Sequence, residues 1–340
     1  MMISQLSRPT LLTLLALSPL FVLSTVAPLH ADSIPELKSK LRKSKDPIRR
    51  LELVREIGDL AELEGASISH AISALGAALL DEDVRVARSA VQLLRRDALR
   101  DKAADHLSKA LVKQAARQKS LIKTQDKNFN TLLRLMGERD NASLEDLTEM
   151  MELFNQFFEA FFVVYEKIDT STELIGEISS SLAHYTDTKA STALKKAVRR
   201  VHAYSPVESI PVMQAVLQQR CRSNVSVVVD LLKKYDYKED QKEAKEFFRV
   251  STGRRQWTDW GARYHRALSE IARSVDSSFV APEHGTKTPE FWKTWFKENR
   301  EKLPTTPDPM AKPPSVEIGG SSDSSDEEAE EDDDEDEDGR

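Results

Sequence analysis

Cysteine is almost missing from this chain: Cys221 stands alone among 340 residues. A secreted fold stapled by internal disulfides is therefore excluded. Cys221 lies among the apolar residues Val216, Leu217 and Val225 and reads as a small buried hydrophobe. Glycine is also scarce, at 11 residues, and no glycine-rich loop that would cradle phosphate is present. There is no G-x-S-x-G and no EF-hand loop. Beyond residue 31 the histidines are His70, His106, His184, His202, His265 and His284. No two of them stand at metal-ligand spacing on one helix, and no cysteine or carboxylate pattern completes a site. No cofactor, no metal and no enzymatic activity are expected. After residue 31 no stretch approaches eighteen apolar residues, so no integral membrane span is expected there.

What is present favours helix. Hydrophobic residues make up 40% of the chain, and the interior is rich in Ala, Leu, Glu, Lys and Arg, all good helix formers. Strand-period alternation is absent, so the chain is expected to be all-α. The net charge of −7 hides a division. Residues Asp323–Asp338 hold thirteen of the 56 acidic side chains, whereas only Arg340 of the 49 Lys and Arg lies in that tail. The remainder carries 48 cations against 43 acids, a mildly basic body with a net charge of +5.

The most informative stretch is Asp81–Leu94, DEDVRVARSAVQLL. Val84, Ala87, Ala90, Val91 and Leu94 recur in steps of three and four and fill one helix face. Asp81 and Asp83 stand where an N-cap and a first-turn carboxylate belong. A weaker copy begins at Asp46-Pro47-Ile48-Arg49; a shift of 36 places Ile48 on Val84, Arg49 on Arg85, Val54 on Ala90 and Ile57 on Leu93. A period of this size marks a stacked helical array. The pattern D-x-V-R-x-x-A-x-x-A, carried by Asp83, Val84, Arg85, Ala87 and Ala90, resembles the second helix of a HEAT repeat. The match covers about Ser33–Arg96, with Asp46, Ile48, Arg49 and Val54 as the poorer copy. The resemblance implies helical-hairpin repeats, a HEAT-like α-solenoid that binds partners along a surface without catalysis. The Asp and Arg would then serve the internal hydrogen bonding of the stack.

Four regions follow. Residues 1–31 read as a signal peptide: Arg8 precedes the apolar run Leu11–Leu23, and Leu29 and Ala31 suit cleavage after Ala31. Residues 32–100 carry the HEAT-like hairpins. Residues 101–303 read as a further helical array or bundle of degenerate repeats. Residues 304–340 read as a disordered Pro-rich linker followed by the acidic tail. Within the third region, helices are expected over Asp101–Lys123, Lys127–Met136, Ser143–Ile168, Ser171–Ala183, Thr188–Ala203, Pro206–Arg220, Ser223–Lys234 and Glu239–Val250. Ser143–Ile168 has the widest apolar face, built on Leu147, Met151, Phe154, Phe158, Phe161, Tyr165 and Ile168. It reads as a central core helix, with a coiled-coil or dimer seam as the alternative. The five cations of Lys189–Arg200 read as a solvated face.

Two tryptophan pairs, Trp257 with Trp260 and Trp292 with Trp295, lie 35 residues apart. They read as anchors of terminal helices. Together with Arg254 and Arg255 they are also the candidate partner-binding residues, since Trp and Arg dominate interaction hot spots. The expected function is an exported, non-enzymatic scaffold, periplasmic or extracellular, whose partner is a protein. Nucleic acid is not expected, because the tail would repel it. The alternatives are an enzyme or ligand-binding helical domain centred on the Phe-rich helix and the Trp pairs, or a cation-binding envelope component whose tail associates weakly with Ca²⁺. Asn141 and Asn224 match the glycosylation acceptor pattern.

Overall fold

Four aspartates start four of the helices in the same way. A computed structural model describes residues 33–63, 67–137, 144–236 and 259–315. In it α1 (Ile34–Lys43) is followed by α2 (Pro47–Ala61), α3 (Ile68–Ala78) and α4 (Val84–Leu94). Two long helices come next, α5 (Asp97–Gly137) and α6 (Leu144–Leu182), then α7 (Thr188–His202), α8 (Ile210–Gln218) and α9 (Arg222–Leu232). The last are α10 (Trp260–Val275), α11 (Thr288–Asn299) and a 3-10 turn, Arg300–Lys302. Among the described residues there is no strand, so the fold is all-helical. Asp46, Asp83, Asp187 and Asp259 each accept a backbone N–H of the first turn that would otherwise be orphaned, in α2, α4, α7 and α10.

The caps correct two expectations. Asp83, not Asp81, caps α4: its carboxylate accepts Arg85 N–H at 2.9 Å. Asp81 lies one turn earlier and takes the Arg50 guanidinium through two bonds of 2.8 and 2.9 Å. It thereby ties α2 to the turn before α4, whereas Arg85 of the quoted pattern pairs with its own cap, Asp83, and Arg49 with Glu52. The capping residues Asp46 and Asp83 are 83 − 46 = 37 apart, one residue more than the side-chain alignment gives. At that step Leu53, Val54 and Ile57 fall on Ala90, Val91 and Leu94, and all six are buried.

Two expected breaks are absent. Asp101–Lys123 and Lys127–Met136 belong to one helix of 41 residues, about 60 Å long at 1.5 Å per residue. Ser143–Ile168 and Ser171–Ala183 likewise merge into the 39-residue α6. The polar clusters at these points read as loop signals. Their hydroxyls instead bond back into the helix: Thr124 donates to Ser120 O, Thr170 to Glu166 O and Thr172 to Ile168 O. Such i to i−4 bonds satisfy the side chain without ending the helix.

Among the described helices, every substantial contact joins elements one or two places apart in the order. The odd helices α1, α3, α5, α7 and α9 pack in succession, as do the even helices α2, α4, α6, α8 and α10. The buried core is continuous from Ile34 to Leu303. Pro304–Pro314 is extended, as its proline content requires, but it is fastened rather than free. Arg222 N–H donates to Pro304 O, Asp308 N–H to Gln219 O and Met310 N–H to Gln218 O. Arg220 pairs with Asp308. Asn224 is wholly buried and hydrogen-bonded to Ser191, Val216 O and Gln219, so the folded chain cannot present it for glycosylation. No helix among the described residues is long and apolar enough to cross a membrane. The signal-peptide stretch 1–31, Asn141, the expected helix Glu239–Val250 and the acidic tail lie outside the described residues.

Ala87 and Ala90 are fully buried in α4. Ala90→Phe should overpack the contact with neighbouring helices, cost about 1–3 kcal/mol and lower the thermal midpoint. An unchanged midpoint in a calorimetric scan would place Ala90 outside the core.

Candidate functional site

A long run of cations without an acid lies on α5. From His106 to Gln125 the sequence carries Lys109, Lys113, Arg117, Lys119 and Lys123 and no Asp or Glu. Helix α7 repeats this composition with Lys189, Lys195, Lys196, Arg199 and Arg200, again with no acid. Both helices spend their apolar residues inward: Leu107, Ala110, Leu111 and Ala115 on α5, and Ala190, Leu194, Ala197 and Val198 on α7, are buried. The cations are left on the other side by the helix period. The two helices pack directly on each other. They run the same way, because Asp105 meets Lys189 and Val112 O accepts from Arg200.

The contact opens into a groove of about 470 Å³ lined by Asp105, Ser108, Lys109, Lys113, Lys189 and Lys196, with Thr188, Thr192, Val112 and Ala193 between them. Asp105 is the single acid on its wall. It binds Lys109 at 2.6 Å and Lys189 at 3.9 Å. The bond from Lys109 holds the Asp105 carboxyl below its ordinary value. Among the described residues Lys113 and Lys196 have no ion-pair partner. Ser108 is buried at the groove floor, and its Oγ has no hydrogen-bond partner. Further along the same band, Lys119 sits 4.6 Å over the Tyr204 ring. Its hydrogen bond, with Lys123 and Arg200 nearby, holds the Tyr204 phenol below its ordinary value. The potential along the band is thus positive beyond any one lysine.

The tryptophans fall elsewhere. Trp260 opens α10, while Trp292 and Trp295 sit in the middle of α11, and all three are buried. Trp260 is the first residue of its helix and Trp295 the eighth, so the 35-residue shift does not join equivalent positions. Trp257, Arg254 and Arg255 lie outside the described residues. The three described rings pack the end of the helical stack. Trp292 Nε1 donates to His265 Nδ1 at 2.9 Å, and His265 Nε2 lies 3.0 Å from Pro282 O. An indole N–H can only donate and a carbonyl can only accept. His265 is therefore neutral with its proton on Nε2. Burial, together with the neighbouring His284, keeps its basicity below the ordinary value.

Two polar knots flank these rings. In one, Ser209 Oγ donates to Pro206 O at 2.6 Å. Its single proton is then used, so the Tyr264 hydroxyl, 2.5 Å away, donates to it. His202 Nδ1, 3.0 Å from the Tyr264 oxygen, completes the chain as donor. Burial pushes the Tyr264 phenol well above its ordinary value and His202 down to about 4. In the other, Asp259 Oδ1 accepts from Ala262 N–H at 2.7 Å and from the Tyr235 hydroxyl at 2.9 Å, with His284 3.4 Å from Oδ2. Burial raises the Asp259 carboxyl, but these bonds outweigh it and hold it below its ordinary value. Gly261 makes room for this contact: a Cβ there would lie 2.5 Å from the Tyr235 ring. Each knot spends its protons internally. Among the described residues no group of three or more His, Cys, Asp or Glu is placed to hold a metal ion.

Sequence reasoning misses the groove. Lys189–Arg200 alone is an ordinary solvated face, and the α5 run is the same. Only their apposition, some 80 residues apart in sequence, makes a site. The one available signal is that both runs lack acids over four or more turns. No protein-family model matches the chain, and a search of curated proteins finds no match.

The buried histidines fix a pH dependence. His202 is held down to about 4 from an ordinary 6.5, so between those values the unfolded chain binds a proton that the folded chain refuses. Stability therefore falls as pH drops through this window, on the order of 3 kcal/mol from His202 alone. Buried His265 is lowered as well and adds to the same slope, with smaller contributions from half-buried His106 and exposed His184. Thermal midpoints followed from pH 7 to 4 should decline, and His202→Gln should flatten the decline whatever its midpoint at pH 7. An identical slope in the variant would remove His202 as the cause.

Proposed function

We propose that the chain is an exported, non-enzymatic helical-repeat scaffold, a HEAT-like α-solenoid with a disordered acidic tail, and that it binds an acidic segment of a protein partner along the α5–α7 groove. The observation that carries this reading is the groove itself: four lysines around one aspartate, two of them without an ion-pair partner among the described residues. The repeat reading is supported by the neighbour-only packing of odd and even helices and by the equivalent caps Asp46 and Asp83. A stack of this kind presents long, rigid, parallel helices to a partner. Lys109 and Lys113 are four residues apart on α5, Lys189 and Lys196 seven apart on α7, so each pair shares a helix face. Such a double row suits an extended or helical polyanion better than a compact ligand.

Export rests on residues 1–31, and terminal sequencing of the protein secreted by its host should read from Asp32. The binding reading is tested on a chain ended after Ile318, using labelled poly-glutamate as the acidic polypeptide. Binding should weaken steeply with salt. The exposed pair Lys113→Glu/Lys196→Glu should keep its helix content and lose about tenfold or more in affinity at low ionic strength. Equal affinity in the variant would separate the groove from binding.

A further inference from the structure

The protein carries an acidic segment of its own that fits the chemistry of this groove. Thirteen of the sixteen residues from Asp323 to Asp338 are acidic. The body they are tethered to has a net charge of +5, and its groove gathers four lysines around a single carboxylate. The groove's own charge asks for an anionic occupant: Lys113 and Lys196 are exposed and have no ion-pair partner among the described residues.

The path of the chain brings the segment within reach. The strap that follows α11 ends on the even layer: Gln214 of α8 donates to Pro314 O, and Ser315 N–H donates to Glu270 of α10. Helix α8 packs on α7, and α7 forms one wall of the groove. Packed helices lie about 8–10 Å apart, so two such spacings put the groove at least roughly 20 Å from Ser315. Eight residue steps separate Ser315 from Asp323, and at about 3.3–3.6 Å each they span up to roughly 28 Å. The fifteen further steps from Asp323 to Asp338 add roughly 50 Å of extended chain, so the acidic segment as a whole has the length to reach the groove.

We propose that the acidic segment Asp323–Asp338 folds back in cis onto the Lys109–Lys113–Lys189–Lys196 groove and competes there with the acidic partner. This rests on the reading that the groove takes an acidic polypeptide, and it adds the regulation of that site. The competition is strong without any single strong contact. A short tether holds the tail at an effective concentration near the millimolar range, and many exposed charge pairs act together although each is weak. Salt releases the tail, since charges more than about 8–10 Å apart are screened at ordinary ionic strength.

The test uses a labelled synthetic peptide of residues 319–340, the full chain, and the chain ended after Ile318. By fluorescence anisotropy at low salt the peptide should bind the shortened chain. It should bind the full chain about tenfold more weakly, because the tethered tail occupies the groove. The two should converge at high salt, and Lys113→Glu/Lys196→Glu should abolish binding to the shortened chain while circular dichroism stays unchanged. Equal peptide affinity for the full and shortened chains would overturn the fold-back, as would peptide binding that survives the double reversal. Poly-glutamate run in parallel separates the two ideas. If it binds the groove and is not weakened by the tail, the fold-back falls and the acidic-partner reading stands. If neither polyanion binds, both fall. A single-stranded RNA oligonucleotide that outbinds both on the full chain would assign the groove to nucleic acid and overturn both.

Discussion

The described helices bury their apolar stripes chiefly against helices one or two places away among them, and much of the structure follows from that constraint. Stacking in this manner sets helix ends against neighbouring hairpins, where the last carbonyls of a helix lose water but still need donors. Buried amides supply them. Gln114 on α5 donates to Leu79 O at the end of α3, and Gln219 donates to both Leu182 O and Tyr185 O after α6. Asn224 donates to Val216 O near the end of α8 and is itself held by Ser191 of α7. An unsatisfied buried carbonyl would cost about 1–3 kcal/mol. These amides therefore fix the register between neighbours, whereas the apolar stripes alone would tolerate sliding. Between the even helices α4 and α6, Arg88 bridges Glu173 and Glu177 and adds a polar lock on the same layer.

The packed helices also need their C-terminal end closed, since the last of them has an apolar face with no following helix among the described residues. The C-terminal region does this with aromatic rings. Trp292 and Trp295 meet edge-on, Phe279 lies tilted to Trp292 and edge-on to Trp295, and Trp260 meets Tyr235, Tyr264 and His202 edge-on. Rings this large bury much surface from few residues, which suits a cap that must end the core abruptly. Their polar tips are what make the His202–Tyr264–Ser209 and Asp259–Tyr235–His284 knots necessary. The strap after α11 then covers α8 and α9 through backbone hydrogen bonds from Pro304 to Met310. Composition alone marks that strap as a linker, because proline and threonine say nothing about what lies alongside.

How much was legible depends on the distance over which each signal acts. Caps act over three residues, so the start of α2 could be placed from Asp46-Pro47 and that of α7 at Thr188, directly after its cap Asp187. The inward faces of α2 and α4 followed from period alone. The fusion of α5 and of α6 was not legible, because Thr124, Thr170 and Thr172 look like loop residues until their hydroxyls are seen to bond one turn back. Asp81 was assigned to a cap because its partner, Arg50, is 31 residues away. The groove lies furthest from local reading: Asp105 and Lys189 are 84 residues apart, joined only by the choice of neighbours in the stack. The buried tryptophans illustrate the converse. A hot-spot composition describes what a residue can do for a partner, and at the end of an array the partner is the chain's own core.

The charge division ties architecture to function. Exposed ion pairs contribute roughly 0–1 kcal/mol each, so a groove of surface lysines gains affinity only through number and alignment. The stack provides both: α5 and α7 run parallel, and their period repeats cations along one line. Adding acids to those helices would satisfy the lysines at i and i+4 and erase the band. Asp105, at the groove's edge, already does so for Lys109. Gathering thirteen of the 56 acids in a tail beyond the strap leaves a counter-charge attached without placing those acids on the band. Because every contact in such a pairing is weak and screened, its strength is set by ionic strength, tether length and competing polyanions rather than by a single residue. The proposed fold-back is for this reason graded with salt, and Lys113 and Lys196, which no acid reaches on their own helices, are where it must be read.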